Sequence, residues 1–250
     1  MCCAPSNVAV DNLLEKLARQ KIKVVRIGHP ARVQVDLQKY SLDAVMAQSD
    51  QKLLSQDVKG DMEEVLKKLK KVRKGHVGER QRLNGEMRQL RKELRTRESL
   101  AIKETLKGAE VVLATLTSAS HTDGVLKHLA ASEQPHFDLA VIDECSQSLE
   151  IACWIALLQV RKVVLAGDHL QLPPTIMSEA AAKEGLAYTL MERVIHKSQE
   201  SGASLSQQQL VKMLNIQYRY VVFNLASLMC RFSQKYSAFH LKQTFSFDVK

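Results

Sequence analysis

Two carboxylates, Asp143 and Glu144, stand side by side directly after the apolar run Phe137-Asp138-Leu139-Ala140-Val141-Ile142. A third, Asp168, follows Gly167 at the end of a second run, Val163-Val164-Leu165-Ala166. Acids placed at the carboxyl ends of buried parallel strands lie where ligands sit in open α/β sheets. The chemistry such acids can do is phosphoryl transfer, in which one carboxylate holds Mg²⁺ and another orients or deprotonates the attacking water. Asp143, at the strand end, is the candidate metal holder, acting through a water, and Glu144 the candidate for work on the nucleophile. Gln171, in Gly167-Asp168-His169-Leu170-Gln171-Leu172-Pro173-Pro174, can both donate and accept at a terminal phosphate. Acidic strand ends also serve simply as helix caps, so the pair alone leaves both readings open.

The loop that would cradle the phosphates, G-x-x-x-x-G-K-[ST], occurs nowhere in the 250 residues. Without its backbone N–H groups and Lys, Asp143 and Glu144 offer Mg²⁺ only a weak, exposed site. The first residues read as an interior segment, which leads us to expect that a preceding β-element is lost or not encoded.

These residues need a parallel sheet to position them. Residues 1 to 8 read as the end of a strand or loop, and Ser6 or Asn7 can cap a helix carrying Val10, Leu13, Leu14 and Leu17. Ile22 to Ile27 reads as a strand stopped by Gly28-His29-Pro30. From about Ser41 to Lys107 the pattern is long helix, with Met62, Val65, Leu66, Leu69 and Val72 on one face. Leu83, Met87, Leu90 and Leu94 form a second narrow stripe, and Lys74-Gly75-His76-Val77-Gly78 reads as the reversal between the two. Strands then alternate with helices: Val111 to Thr115, the run before Asp143, a helix over Leu149 to Leu158, and Val163 to Ala166. That order predicts βαβ units with right-handed crossovers. Ser178-Glu179 and Leu190 to Val194 open further helices, and Leu210 to Ile216 is a last strand before Gln217-Tyr218-Arg219. Tyr220 to Lys250 shows no clear periodicity, and weak or no regular order is expected there.

The net charge of +9 is concentrated, since residues 51 to 107 hold 17 Lys/Arg against 9 Asp/Glu. Such a block suits a polyanion, nucleic acid first, although a solvated helical face carries the same composition. Five cysteines without paired C-x-x-C spacing support neither a disulfide framework nor a zinc site. Cys145 reads as a small packing residue. No apolar run approaches a membrane span, so the expected setting is cytosol or nucleus, with Lys67 to Lys74 able to serve as an import signal.

Ala4-Pro5-Ser6-Asn7, Leu113-Ala114-Thr115, Asp143-Glu144-Cys145-Ser146, Gly167 to Pro174 and Gln217-Tyr218-Arg219 form an ordered set. Together with Gly28-His29-Pro30-Ala31-Arg32, Ser41-Leu42-Asp43-Ala44-Val45 and Leu190-Met191-Glu192-Arg193, it resembles superfamily 1 helicases of the Upf1-like group, from about Cys2 to Arg219. The resemblance implies an α/β fold: an incomplete RecA-like (P-loop NTPase) parallel sheet with an inserted antiparallel helical stalk. It implies an enzyme that uses ATP and Mg²⁺ to move 5′ to 3′ on single-stranded DNA or RNA. Residues 1–40 would start the RecA-like domain, with its phosphate loop missing upstream. Residues 41–107 would form the basic stalk, 108–219 the remainder of that domain, and 220–250 a divergent tail. Asp143 and Glu144 would take the magnesium and water-activating roles, Gln171 would sense the γ-phosphate, and Arg219 would reach it and neutralise transition-state charge. Ser6, Asn7, Thr115 and Ser118 fall in segments that contact the nucleic-acid backbone, where hydroxyl and amide donors suit phosphate without reading sequence. Pro173 and Pro174 sit where the family approaches the bases, or else stop the strand and stiffen the loop.

The resemblance ends after Arg219, and no second RecA-like domain follows. Three expectations compete: a fragment of a helicase motor without ATP turnover of its own, a non-catalytic single-strand-binding module, and a poorly folded product with exposed apolar surface.

Overall fold

The computed structural model of the chain describes residues 1–48, 51–71, 76–120, 122, 124–129, 135–200, 211–214 and 243–248. In chain order the strands are β1 (Cys2–Ala4), β2 (Val24–Arg26), β3 (Val111–Thr115), β4 (Phe137–Ile142), β5 (Val160–Gly167), β6 (Val211–Met213) and β7 (Gln243–Asp248). The helices are α1 (Asn7–Arg19), α2 (Leu42–Ala47), α3 (Gln51–Lys71), α4 (Val77–Gly108), α5 (Glu150–Leu157), α6 (Glu179–Ala181) and α7 (Leu190–Glu200). Contacts divide the chain into two compact units, Met1–Ala9 with Gln134–Lys250, and Val10–Glu133. Among the described residues no helix is long and apolar enough to cross a membrane.

In the first unit β1 runs parallel to β4, with Cys2 opposite Val141 and Cys3 opposite Ile142. β4 runs parallel to β5, with Ile142 opposite Leu165. Cys3, Ala4, Ala140, Ile142, Val163 and Leu165 are buried, whereas Val141, Val164 and Ala166 on the alternate face of β4 and β5 are half-buried. β5 spans more than the expected Val163 to Ala166, α5 falls one residue short at each end of the expected Leu149 to Leu158, and α7 opens on a reciprocal cap. Thr189 Oγ1 accepts from the Glu192 N–H at 3.2 Å, and Glu192 Oε2 accepts from the Thr189 N–H at 2.8 Å.

Two expectations about the C-terminal part need correction. Of the strand expected over Leu210 to Ile216, Val211–Met213 form β6 and Leu214 lies outside it, while Leu210, Asn215 and Ile216 lie outside the described residues. Weak or no regular order was expected over Tyr220 to Lys250, yet residues 243–248 form β7, antiparallel to β5 with Leu165 opposite Phe245; the rest of that stretch lies outside the described residues. The physical reason is the alternation Thr244-Phe245-Ser246-Phe247, a period-two pattern that suits a strand.

In the second unit β2 and β3 run parallel, with Arg26 opposite Leu113. α1 starts in the first unit, where Ser6 caps it with Oγ accepting from the Ala9 N–H at 3.1 Å, and its Val10 and Leu14, in the second, are buried. The helical region is α2 followed by a hairpin of α3 and α4. Val65, Leu83 and Met87 form its buried seam, flanked by Met62, Leu69 and Leu90. Leu66, expected on that seam, is 44% exposed: one residue beyond Val65 it is turned about 100° away from the 62–65–69 line. Gly78, expected in the reversal, lies in the first turn of α4, and residues 72–75 are outside the described set.

A buried ion pair underlies β2. Arg26 Nε donates to Asp11 Oδ1 at 3.2 Å, with side chains 0% and 2% exposed. Asp11 Oδ2 also accepts from the Gln34 N–H at 3.1 Å, and the Arg26 guanidinium donates to the Ile27 carbonyl. Both charged groups are therefore hydrogen-bonded as well as paired, the condition under which burial of charge is tolerated.

Candidate functional site

The register places the acids of the first unit at one edge. β4 ends at Ile142 and β5 at Gly167, so Asp143 and Glu144 leave the sheet beside the segment that carries Asp168 and Gln171. The Asp143 N–H donates to the Cys3 carbonyl at 2.9 Å, which continues the β1–β4 ladder by one residue. Asp143 Oδ1 accepts from the Glu144 N–H at 3.1 Å. Glu144 then adopts φ 54° and ψ 35°, a left-handed conformation uncommon outside glycine. This sharp exit turns the carboxylate out of the strand direction, and Gln147 Nε2 donates to its Oε2 at 3.4 Å.

The β5 edge is fixed by bonds between residues that the sequence marked without indicating their contacts. Ser146 Oγ accepts from the Asp168 N–H at 3.2 Å. The Asp168 carboxylate, 6% exposed as a residue, accepts from the Leu170 N–H at 3.0 Å and from Gln171 Nε2 at 2.9 Å. Asp168 thus positions Gln171, which is itself exposed. Gly167 is required by close approach, because a Cβ there would lie 3.0 Å from Ser146 Oγ and 3.1 Å from Ser146 N. The signals were present as Gly-Asp after a strand and Ser two residues beyond Glu144, but the contact between them depends on strand register.

The prolines divide: Pro173 is exposed and Pro174 buried, which gives Pro174 the loop-stiffening role. Asn7 begins α1. In the second unit, Thr115 Oγ1 donates to Ser118 Oγ at 2.8 Å and accepts from the Ser118 N–H at 3.3 Å. These bonds form a small hydroxyl-rich loop at the end of β3. Arg219 lies outside the described residues, as do Gln217 and Tyr218.

Among the described residues no group of three or more His, Cys, Asp or Glu side chains could enclose a metal. A pair of adjacent carboxylates fits Mg²⁺ in the form that keeps most of its water, and does not fit a metal caged by protein alone. Cys145 is buried against Met191, Sγ to Sδ 3.4 Å, and burial pushes its thiol well above the ordinary range. Burial likewise pushes Cys153 up to about 12. Both thiols should resist iodoacetamide at pH 8 in the native protein and react once it is unfolded in urea, since the thiolate is the nucleophile. Mass spectrometry showing native labelling at the rate of a free cysteine would overturn that assignment.

The α3–α4 hairpin presents Arg82, Arg88, Arg91, Lys92 and Arg95 on exposed positions. Two ion pairs also lie on it, Arg97 with Glu93 at 2.6 Å and Lys59 with Glu98 at 3.7 Å.

A family model described as AAA domain matches residues 1–179. The DNA-binding protein SMUBP-2 of Mesocricetus auratus is 49% identical over 219 residues, covering 88% of this chain and 21% of its own length. The DNA polymerase alpha-associated DNA helicase A of Schizosaccharomyces pombe is 35% identical, covering 88% of this chain and 30% of its own. A regulator of nonsense transcripts 1 homolog of Drosophila melanogaster is 32% identical, over 78% of this chain and 15% of its own. The chain therefore spans between about a seventh and a third of the length of these curated relatives.

Proposed function

The chain belongs to the AAA-domain family and, within it, to the Upf1-like superfamily 1 helicases, and from that premise we propose that it carries part of the ATP-driven 5′ to 3′ motor for single-stranded DNA or RNA. The observation that carries this reading is the shared edge of β4 and β5, where Asp143 and Glu144 emerge beside a Gln171 held by buried Asp168. In this reading Asp143 holds Mg²⁺ through water, and bound Mg²⁺ supplies charge neutralisation at the phosphates. Glu144 orients and deprotonates the attacking water, and its left-handed backbone serves to aim the carboxylate. Gln171 and Arg219 contact the γ-phosphate. Ser6, Asn7, Thr115, Ser118 and Pro173 are the residues assigned to the strand, while Pro174, buried, stiffens its loop. Residues 1–40 and 108–219 are the motor part and 41–107 the basic stalk.

A chimera tests the assignment directly. Residues 1–179 of this chain replace the matching segment of the fission yeast helicase A, and unwinding and ATP hydrolysis are measured. Glu144→Gln in the chimera is expected to lower kcat by about 10²–10⁴-fold, the usual contribution of a general base. Unchanged turnover would sink the catalytic assignment.

A second reading, a non-catalytic single-strand binder, is favoured for the 250 residues by themselves because G-x-x-x-x-G-K-[ST] is absent from them. This polypeptide alone is expected to show no ATP turnover with single-stranded DNA, for want of the N–H cradle and Lys at the β and γ phosphates. Hydrolysis abolished by Glu144→Gln would overturn that expectation.

A further inference from the structure

The Gly28-His29-Pro30-Ala31-Arg32 turn has no role in the chemistry above, yet much of the second unit is built to hold it. Its floor is the Arg26–Asp11 pair. Gly28, at φ 146°, lies so close that a Cβ would stand 3.0 Å from Arg26 Nη1. Its far end is fixed to the same acid, since Asp11 accepts from the Gln34 N–H at 3.1 Å. Within the turn His29 Nδ1 accepts from the Ala31 N–H at 3.2 Å, the Arg32 N–H donates to the His29 carbonyl at 2.9 Å, and Pro30 fixes its own φ. This bonding leaves His29 and Arg32 exposed. Among the described residues neither is bridged to an acid, and Asp36, the nearest in sequence, is not paired with Arg32. A cation on a rigid, buried support loses little conformational entropy when it meets an anion.

Topology says which anion. β2 and β3 are parallel, and the Ile27 N–H donates to the Leu113 carbonyl at 2.7 Å, so the Gly28 turn and the Thr115–Ser118 loop leave the same edge from adjacent strands. We propose that this turn is a phosphate-contacting subsite for the strand that passes the Thr115–Ser118 loop, with His29 and Arg32 as the contacting side chains. The inference rests on the single-strand-binding reading. Adjacent strands lie about 4.8 Å apart and consecutive phosphates of an extended strand somewhat further, so neighbouring loops can serve neighbouring phosphates.

The test is titration of the 250-residue chain with a fluorescent oligo-dT at several salt concentrations. His29→Ala/Arg32→Ala is expected to weaken binding about tenfold at low salt, as loss of charge-assisted hydrogen bonds would. The log–log salt slope should fall by about 0.7, the value for one phosphate contact on a single strand. Arg32→Lys should keep the slope, because the charge remains. Arg32→Gln, which leaves the His29 bond to Ala31 intact, should reproduce the slope loss with unchanged melting. If the parent chain binds and Arg32→Gln alters neither affinity nor slope, the subsite is wrong and the strand-binding reading stands. If the parent chain fails to bind oligo-dT at low salt, that reading falls and the subsite with it.

Discussion

Replacing Arg26 by methionine while leaving Asp11 in place is expected to lower the free energy of unfolding by about 3–5 kcal/mol. The substitution nearly preserves volume, so the loss comes from a carboxylate left at 2% exposure without its guanidinium partner. The Gln34 N–H still reaches Asp11, but a single neutral donor does not replace a charge. For a chain of this size the change corresponds to a melting temperature roughly 6–20 °C lower. Arg26→Met combined with Asp11→Leu should recover most of the loss, because a buried pair and an apolar pair of similar volume are often close in stability. Differential scanning calorimetry of the two variants decides it. A single variant that melts with the parent would show that the pair is dispensable.

Gly124→Ala is the second large effect, and it acts through the backbone on the Thr115–Ser118 loop proposed to contact the strand. A Cβ at this position would lie 2.3 Å from the Ser120 carbonyl oxygen and 3.2 Å from that of Ser118. Carbonyl oxygens cannot rotate aside as a side chain does, so the 118–120 segment must move. Its cost in stability is about 1–3 kcal/mol, the range for overpacking. Because Ser118 is bonded to Thr115 through both its hydroxyl and its N–H, the displacement should also break that arrangement. Weaker binding of oligo-dT together with lower melting is the expected pair of results. Parent-like affinity in a destabilised variant would argue that Thr115 and Ser118 do not touch the strand.

The buried strands were legible because their signals are local. Five of them, β1 to β5, coincide with apolar runs or run ends, and Ser6 and Ser178 cap helices where short polar side chains precede helical periodicity. What escaped depends on contacts between distant segments. Nothing in an isolated Val24-Val25-Arg26-Ile27 says that the arginine will be fully buried: that follows only when α1 brings Asp11 across from β2. Asp168 reads as a third active acid by position, but register sets its N–H on Ser146 and its carboxylate on Gln171, which makes it a positioning group. Leu66 was misplaced because a seam of two helices is narrower than a helix buried in a core, and one residue of offset suffices to reach solvent. The reciprocal cap at Thr189 and Glu192 is local too, and its sequence signal is T-x-x-E ahead of an apolar-periodic helix.

The unit that contains β4 and β5 is completed by residues from the start of the chain, since β1 pairs with β4 across 139 positions. Residues 10–133 are contiguous, and their contacts can close as they leave the ribosome. The pairing of Cys2–Ala4 with β4, in contrast, must wait until Val141 and Ile142 are made, roughly 7–28 s later at ordinary rates of synthesis. During that interval the backbone groups of β1 that face β4 lack their partners, and such an unpaired strand edge is a natural binding site for chaperones. Slower translation through residues 10–133 should therefore reduce the yield of folded protein even when the finished chain is unchanged.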